Sequence, residues 1–196
     1  MNFERIDELV SLAKSDIPPD HLLARQIQSS SIPNPYFNFM RRLAMEVREP
    51  GVFLEIGSYM GAVGAHVVDA KGWHSHVFVS VDINHVNFSD PSFIFLEGDS
   101  TTDRIYSSVK SIAEKCGGIF AVFQDSSHHY YPSVKEWELY SPLVRPGGIW
   151  MADDITPAFK IPEEPKGMVE YFDELPGEKK IYDDLHIGSR IGMVLL

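Results

Sequence analysis

The sequence is poor in three features that assign proteins to specialised classes, namely cysteine, long apolar runs and clustered positive charge. Its single cysteine, Cys116, excludes an internal disulfide among its 196 residues. No apolar run reaches the ~20 residues of a membrane-spanning helix, and the segment MNFERIDELV carries acids where a signal peptide carries bases. We therefore expect no membrane partner and a location in the reducing cytoplasm.

Positive charge is scarce throughout the chain. There are 17 lysines and arginines against 28 aspartates and glutamates, a formal net charge of −11. Adjacent basic residues occur only as the pairs Arg41-Arg42 and Lys179-Lys180. A surface of this charge repels a phosphate backbone, so we expect no nucleic-acid partner.

What the chain does have is an ordinary globular composition, 44% hydrophobic and 23% charged, with strand and helix patterns that alternate. Helical spacing predicts helices near residues 62–70, 102–115 and 132–143, between short apolar runs that predict strands. The runs are Val52–Ile56, Val77–Ile83, Phe93–Gly98, Ile119–Asp125 and Ile149–Asp154. Because most runs are continuously apolar, both faces of the strands are expected to be covered. The predicted fold class is α/β, a doubly wound, mostly parallel sheet, and the tail from residue 179 adds a C-terminal antiparallel hairpin.

The N-terminal part has a different pattern. Helical spacing in FERIDELVSLAKS predicts one helix, and a second helix is predicted from residue 36 to residue 49. The serines and prolines of IQSSSIPNP, residues 27–35, favour a loop between them. We therefore expect one domain of residues 1–196, with a helical cap in residues 1–48 and an α/β core in residues 49–196.

A glycine loop follows the first strand. In LEIGSYMGAVG the glycines are Gly57, Gly61 and Gly64, and the loop leads into a predicted helix. Such a loop lets the backbone approach a nucleotide-like ligand, because a Cβ would collide with it. The first two glycines are four residues apart, and the missing G-x-G disfavours a dinucleotide such as NAD. Acidic residues also end the next two strands, as Asp82 and in the segment EGDS, residues 97–100.

Three further acids end the fourth and fifth strands. Asp125 lies in FQDSSHHYY, and Asp153 and Asp154 lie at the end of IWMADD. Adjacent parallel strands are about 5 Å apart, so these carboxylates can converge on one point. Three oxygen ligands without a nearby cysteine suit a hard cation such as Mg²⁺.

The glycine loop and the strand ends resemble those of class I S-adenosylmethionine-dependent methyltransferases, whose loop reads E-x-G-x-x-x-G. The resemblance implies a seven-stranded Rossmann-like methyltransferase fold and S-adenosylmethionine as cofactor. It implies that Glu55 orients the methionyl amine, that Asp82 binds the ribose, and that EGDS contacts adenine. The cofactor-binding residues that it implies are Glu55, Gly57, Ser58, Gly61, Asp82, Asp99, Ser100, Asp125 and Ser126.

The segments DSSHHYY and ELYSPLVRPGG, with the paired acid that follows them, narrow the resemblance. They are similar to the cephalosporin hydroxylase and macrocin O-methyltransferase group, which methylates natural-product hydroxyls, often on sugars, with a divalent metal. The spacing of the acids also resembles the metal site of catechol O-methyltransferases. The resemblance implies that Asp125, Asp153 and Asp154 ligate the metal and that His128 is the general base.

The sequence thus predicts a Mg²⁺-dependent O-methyltransferase that acts on a hydroxylated small molecule, with a sugar hydroxyl preferred and a catechol as the alternative. An NAD-dependent oxidoreductase and a non-catalytic cofactor-binding protein are further alternatives, and a homo-oligomer is possible. Residues 28–39 and 156–168 are predicted substrate walls. Six histidines lack ligand spacing and receive no role: His21, His66, His74, His76, His85 and His186.

Overall fold

A computed structural model describes residues 1–30, 34–70, 75–157 and 165–196. His74 and parts of the two predicted substrate walls lie outside these residues. The strands are β1 Val52–Ile56, β2 Val77–Asp82, β3 Phe93–Glu97, β4 Ile119–Gln124, β5 Val144–Ala152, β6 Glu178–Tyr182 and β7 Ile191–Leu195. The α-helices are α1 Phe3–Ser15, α2 Asp20–Ser30, α3 Pro35–Glu46, α4 Ala62–Val68, α5 Asp103–Cys116, α6 Tyr130–Tyr140 and α7 Met168–Glu174.

The seven strands form one sheet in the order β3-β2-β1-β4-β5-β7-β6. Strands β1 to β5 pair in parallel, and β7 is antiparallel to both of its neighbours. The doubly wound sheet and its C-terminal hairpin are therefore confirmed. Strand β5 begins at Val144, earlier than predicted, because a register shift in the β4–β5 pairing lets the Pro-Gly-Gly segment stay in the strand.

Helices cover both faces of the sheet, which explains the continuously apolar strands. Phe53 and Phe123 point into one core, which they share with α1, α3 and α4. Leu54 and Val122 point into the other core, which they share with α5, α6 and α7. Neighbouring residues of one strand thus enter opposite cores, since side chains alternate along a strand. Phe123 is fully buried, and its replacement by alanine would cost about 3–5 kcal/mol.

The N-terminal helices are part of the first core. Ile6 and Leu9 of α1 and Phe37 of α3 are buried there together with strand residues. Their burial requires amphipathic helices, which is why the spacing of apolar residues in α1 and α3 could be read from the sequence.

The loop predicted for residues 27–35 is wrong for its first part, because residues 27–30 continue helix α2. The Pro19 carbonyl accepts the N–H groups of Leu22 and Leu23 and so starts this helix. Leu22 and Gln26, one turn apart, are buried. Packing of that face against α4 outweighs the modest helix propensity of serine.

Register places the ends of three strands level with one another. Gln124 of β4 pairs with Ile56 of β1 and with Ala152 of β5. Just beyond, the Asp125 N–H donates to the Ile56 carbonyl at 2.8 Å, and the Asp153 N–H donates to the Gln124 carbonyl at 2.9 Å. The residues that follow these strands therefore meet at one edge of the sheet. Within the described residues, no helix has the length and apolar composition needed to cross a membrane.

Candidate functional site

A cavity of about 780 Å³ opens at the carboxyl ends of β1 to β5. Its walls include the loop after β1, the turns after β2 and β3, the segments after β4 and β5, and the loop between β6 and β7. The order of the strands reverses between β1 and β4, and ligands of doubly wound sheets bind at such a reversal. All of the predicted site residues except Gly61 line this cavity.

The glycines of the loop after β1 are required by the packing of the protein itself. Gly57 has φ +91°, and a Cβ there would lie 1.9 Å from the carbonyl oxygen of Asp125. Gly61 has φ +70° at the start of α4, and a Cβ there would lie 2.9 Å from Val86 Cγ1. The expected reason for these glycines was close approach to a ligand. The structure gives a different reason, which is close approach of the β1 and β4 ends and of the loop to its neighbours.

Asp82 holds the glycine loop in place. Its Oδ2 accepts the backbone N–H of Ser58 at 2.8 Å and of Tyr59 at 3.0 Å, and its Oδ1 accepts the N–H of Asn84 at 2.8 Å. Tyr59 has φ +47°, a conformation that few non-glycine residues adopt. The two hydrogen bonds to Asp82 therefore fix the conformation of the loop that forms this wall of the cavity.

The turn after β3 is held in the same manner. Asp99 Oδ1 accepts the N–H of Thr101 at 2.8 Å and its hydroxyl at 2.7 Å. The backbone carbonyl of the next residue, Ser100, accepts the Tyr140 hydroxyl at 2.6 Å. This turn therefore has a fixed backbone where it faces the cavity.

Glu55 is a buried carboxyl group at the end of β1. Its side chain is 1% exposed, and Ser80 Oγ donates to its Oε2 at 2.6 Å. Burial raises the pKa of Glu55 to about 8, with the negative charge of Asp125 adding to the effect. A cation placed in the cavity beside Glu55 would restore its charged form.

The three predicted metal-ligating acids follow β4 and β5 and form a second part of the cavity wall, the acidic end, in which His128 lies between Asp125 and Asp154. His128 Nδ1 lies 2.7 Å from Asp154 Oδ2, and His128 Nε2 lies 3.3 Å from Asp125 Oδ1. His128 and Asp154 both have φ +56°, so both residues of this pair adopt a strained backbone. Strain of this kind is concentrated at functional sites.

The carboxylates at this end repel one another, and His128 attracts two of them. Burial and the charge of Asp153 raise the pKa of Asp125 to about 7. Burial also raises the pKa of Asp153, whereas the hydrogen bond from His128 lowers the pKa of Asp154 despite its burial. Burial lowers the pKa of His128, but its hydrogen bonds to Asp125 and Asp154 outweigh this and raise it to about 10. The acidic end thus needs positive charge, and in this arrangement His128 supplies it.

His186 also lies at this end, although no role was predicted for it. Its Nδ1 lies 2.8 Å from Asp153 Oδ1, and it comes from the loop between β6 and β7. Among the described residues, possible ligand atoms of Asp153, Asp154 and His186 lie within 4.8 Å of one another. No spacing in the sequence links His186 to Asp153, because only the pairing of β7 with β5 brings them together.

A second residue missed at the sequence level is Glu136 of α6. It lines the cavity, and its carboxylate accepts hydrogen bonds from Ser100, Gln124 and Ser126. Helix α6 buries Glu136 together with Ser133 and Tyr140. Apolar spacing in the sequence did not point to this face, because Val134, Trp137 and Leu139 do not share it.

The seven-stranded order and the cleft at the strand ends define a Rossmann-like methyltransferase fold. The model of the Rhamnosyl O-methyltransferase/CmcI family matches residues 38–169, more than half of the chain. The chain belongs to this family. No curated protein sequence matches it significantly.

Three solved structures illustrate the likeness. MycE methyltransferase of mycinamycin biosynthesis, in complex with Mg, SAH and mycinamycin VI, is 16% identical with a TM-score of 0.62 over 90% of this chain. TomG from Streptomyces achromogenes, an O-methyltransferase in complex with SAM, is 16% identical with a TM-score of 0.67, over 100% of this chain and 99% of its own. CalS11, a TDP-rhamnose 3'-O-methyltransferase of calicheamicin biosynthesis, is 15% identical with a TM-score of 0.52, over 84% of this chain and 92% of its own. The chain spans 53% of the MycE chain.

Proposed function

We propose that the protein is a metal-dependent O-methyltransferase that moves a methyl group from S-adenosylmethionine to a hydroxyl of a small molecule. The observation that carries the proposal is one cavity that joins the glycine loop and the buried Glu55 to the acids Asp125, Asp153 and Asp154 with His128. The first end suits the cofactor, and the second end suits a hydroxyl that must lose a proton.

The cavity fits the cofactor in size and in charge. Its volume of about 780 Å³ lies within the roughly 300–1,000 Å³ of small-molecule sites. The amino group of the methionyl moiety is a cation, and Glu55 is a buried carboxyl group whose charged form a neighbouring cation would stabilise. Further contacts are proposed from Gly57 and Ser58 of the glycine loop and from Asp82 near the ribose, whereas Gly61 does not line the cavity and is proposed only to shape the loop. Asp99, Ser100, Asp125 and Ser126 are proposed to contact the remainder of the cofactor.

The acidic end fits a divalent cation. Asp125 and Asp153 have raised pKa values because burial and neighbouring carboxylates disfavour their charge, and a dication would reverse this. We propose that Asp125, Asp153 and Asp154 would hold Mg²⁺ or a similar ion. When bound, such an ion orients a hydroxyl and makes its proton more acidic.

His128 is the proposed general base. Its Nδ1 is held by Asp154 at 2.7 Å, whereas Nε2 has the longer contact of 3.3 Å with Asp125, so we assign the transferred proton to Nε2. A pKa of about 10 keeps the ring charged while both carboxylates pair with it. Positive charge delivered to those carboxylates would weaken this pairing and lower the pKa toward the range where an imidazole accepts protons.

S-Adenosylmethionine supplies an electrophilic methyl group on a sulfonium that leaves readily. The task of the chain is alignment, since oxygen, carbon and sulfur must lie in a line. The loop fixed by Asp82 would hold one reactant, and the acids would hold the other. No side chain needs to form a covalent bond.

The proposed acceptor is a sugar hydroxyl of a natural product. Its support is the family, described as Rhamnosyl O-methyltransferase/CmcI, together with MycE, solved with mycinamycin VI, and CalS11, which acts on TDP-rhamnose. In the described part of the first predicted wall, Asn34, Tyr36 and Phe37 line the cavity, and Asn34 and Tyr36 are candidate contacts for the acceptor. Thr156 and Met168 of the second predicted wall line a different, smaller pocket. We further propose that residues 1–196 act as one cytoplasmic methyltransferase domain, in which residues 1–48 cap the core, as a monomer or a homo-oligomer.

The test is a screen of rhamnosides, other glycosides and catechols for release of S-adenosylhomocysteine, with and without a chelator. Activity on glycosides that a chelator abolishes and added Mg²⁺ restores is the expected result. Transfer that survives the chelator would remove the metal from the proposal. A failure to bind either S-adenosylmethionine or its product in calorimetry would refute the proposed function as a whole.

A further inference from the structure

The hydroxyl of Tyr36 is a buried polar group without a partner in the described part of the chain. Tyr36 lies in the first turn of α3, lines the cavity and is 5% exposed. Among the residues that the structure describes, none forms a hydrogen bond with this hydroxyl. Buried polar groups are nearly always hydrogen-bonded, so an exception in the wall of a cavity points to a ligand as the partner.

The protein fixes the position of this side chain from several sides. The Tyr36 backbone N–H donates to the Leu185 carbonyl at 2.9 Å. The centroid of its ring lies 5.7 Å from that of Phe123 in β4 and 5.2 Å from that of His186, the imidazole that pairs with Asp153. The ring of Tyr36 is therefore packed in the core, and its polar end is available to the cavity.

The hydroxyl lies among carboxyl groups from both parts of the cavity. Burial raises the pKa of Tyr36 well above its usual value, and the charges of Asp125, Asp153, Glu55 and Asp154 add to this effect. Charges act most strongly at short range, so this hydroxyl lies between Glu55 and the acidic end, where the two proposed reactants would meet. A phenol with a raised pKa keeps its proton, and Tyr36 is therefore a hydrogen-bond donor.

The hydroxyl that is methylated has no lone pair left for this donor. A hydroxyl group has one proton and two lone pairs. In the proposed reaction the proton goes to His128, one lone pair forms the bond to the methyl carbon, and the other faces the proposed cation. The Tyr36 proton must therefore meet a different oxygen, and the closest ones are carried by the carbon atoms next to the reacting hydroxyl.

We infer that Tyr36 is a specificity-determining residue that donates its proton to a second oxygen of the acceptor, on a carbon next to the one whose hydroxyl is methylated. Every free hydroxyl of a rhamnoside has a neighbour of this kind, whereas an isolated alcohol has none. The inference rests on the proposed function, because it takes the ligands to be S-adenosylmethionine and a sugar.

The experiment measures the binding of methyl α-L-rhamnoside, and of its three analogues that each lack one hydroxyl, to the full chain. Calorimetry is performed with S-adenosylhomocysteine and Mg²⁺ present. Tyr36→Phe removes one oxygen and keeps the packed ring, so the variant should bind the parent sugar about 5- to 10-fold more weakly than the wild type. One of the three deoxy sugars should bind equally to both proteins, because it lacks the oxygen that Tyr36 meets.

The ligand-free protein supplies a second readout. A buried hydroxyl without a partner does not stabilise the fold, so Tyr36→Phe should melt at no lower temperature than the wild type. Its affinity for S-adenosylhomocysteine should stay within about 2-fold, since the inferred contact is with the acceptor. The matched control is Tyr131→Phe, at a position of α6 that is 58% exposed, and it should bind all four sugars as the wild type does.

A lower melting temperature of ligand-free Tyr36→Phe would show that the hydroxyl has a partner within the protein, and it would overturn the inference. Equal binding of the parent sugar to both proteins, or an equal loss with all four sugars, would also overturn it while leaving the proposed function intact. A wild type that binds S-adenosylhomocysteine but none of the sugars would overturn the inference together with the proposed acceptor. Failure to bind S-adenosylhomocysteine would overturn the proposed function as a whole.

Discussion

The two ends of the cavity satisfy their polar groups in opposite ways. At the glycine-loop end, Asp82 accepts backbone N–H groups of Ser58 and Tyr59. At the acidic end, carboxylates face one another and are balanced by the imidazoles of His128 and His186. At the first end a carboxylate is paired with backbone donors, whereas at the second end carboxylates depend on the charge of neighbouring side chains. Substitutions that alter charge should therefore have their largest effects at the acidic end.

The largest effect is expected from Asp154→Asn. Asparagine tolerates the left-handed conformation of this position, φ +56°, so the fold should persist. The loss of one carboxylate should weaken binding of Mg²⁺ or Mn²⁺ in calorimetry and reduce methyl transfer roughly 10³-fold on an acceptor found by the screen. Binding of S-adenosylhomocysteine should change little.

Asp173→Asn is the control for this prediction, since Asp173 is exposed and lies in α7. It should behave as the wild type in all three measurements. Full activity of Asp154→Asn, with its chelator sensitivity unchanged, would show that the acidic end does not hold the metal.

His128→Asn is expected to have the next largest effect. Loss of the base should lower kcat about 10²-fold, at the lower end of general-base contributions. Binding of S-adenosylhomocysteine should stay within about 2-fold, because a lost interaction made only in the transition state leaves ligand binding unchanged. The control is His21→Asn, at a surface position whose side chain is 65% exposed. An equal loss in kcat and in cofactor affinity would indicate a structural role for His128 instead.

Features that depend on local sequence could be predicted. Strand positions followed from apolar runs, and Asp125, Asp153 and Asp154 followed because strand ends of a parallel sheet meet at one edge. The helix boundaries predicted for the N-terminal part were less accurate. The serines at the end of α2 favour a loop by their local preference, but they continue a helix because its buried face packs on α4. Most of the fold could therefore be predicted from local sequence patterns.

Side-chain partners from distant segments could not be predicted in this way. His186 reaches Asp153 across 33 residues, and Ser100 reaches Glu136 across 36. No periodicity encodes such pairs, because they depend on which loops the finished sheet brings together. The raised pKa of His128 has the same origin, since it depends on where Asp125 and Asp154 lie in space.

At the glycine-loop end, Glu55→Gln should have a smaller effect than the two substitutions above. It should raise the stability of the ligand-free protein at high pH and weaken the binding of S-adenosylhomocysteine. The pKa of Glu55 is raised to about 8 from its usual 4.5, so the stability it contributes is present below pH 4.5 and is lost as pH rises through 8. Glutamine carries no charge to bury, and at pH 9 the ligand-free variant should melt at a higher temperature than the wild type.

The same variant should bind S-adenosylhomocysteine about 10- to 100-fold more weakly, because the amine loses its charged partner. Thermal unfolding with and without the ligand measures both effects in one assay. Glu114→Gln, an exposed position of α5, is the control and should change neither. A lower melting temperature of ligand-free Glu55→Gln at pH 9 would contradict the account of its burial.

The smallest effect is expected from His186→Ala, whose hydrogen-bond contact at the acidic end is with Asp153. Without the contact at 2.8 Å, Asp153 is free to rotate, and affinity for Mg²⁺ or Mn²⁺ should fall about 10-fold, as for other groups that orient a metal-ligating side chain. Asparagine places its amide nitrogen near the position of Nδ1, so His186→Asn should recover part of the loss. His85→Ala, an exposed position at 75%, is the control. Equal metal affinity in His186→Ala and the wild type would mean that burial at the ends of β4 and β5 is enough to orient Asp153. The acidic end would then depend less on side chains from distant segments than the comparison of the two ends implies.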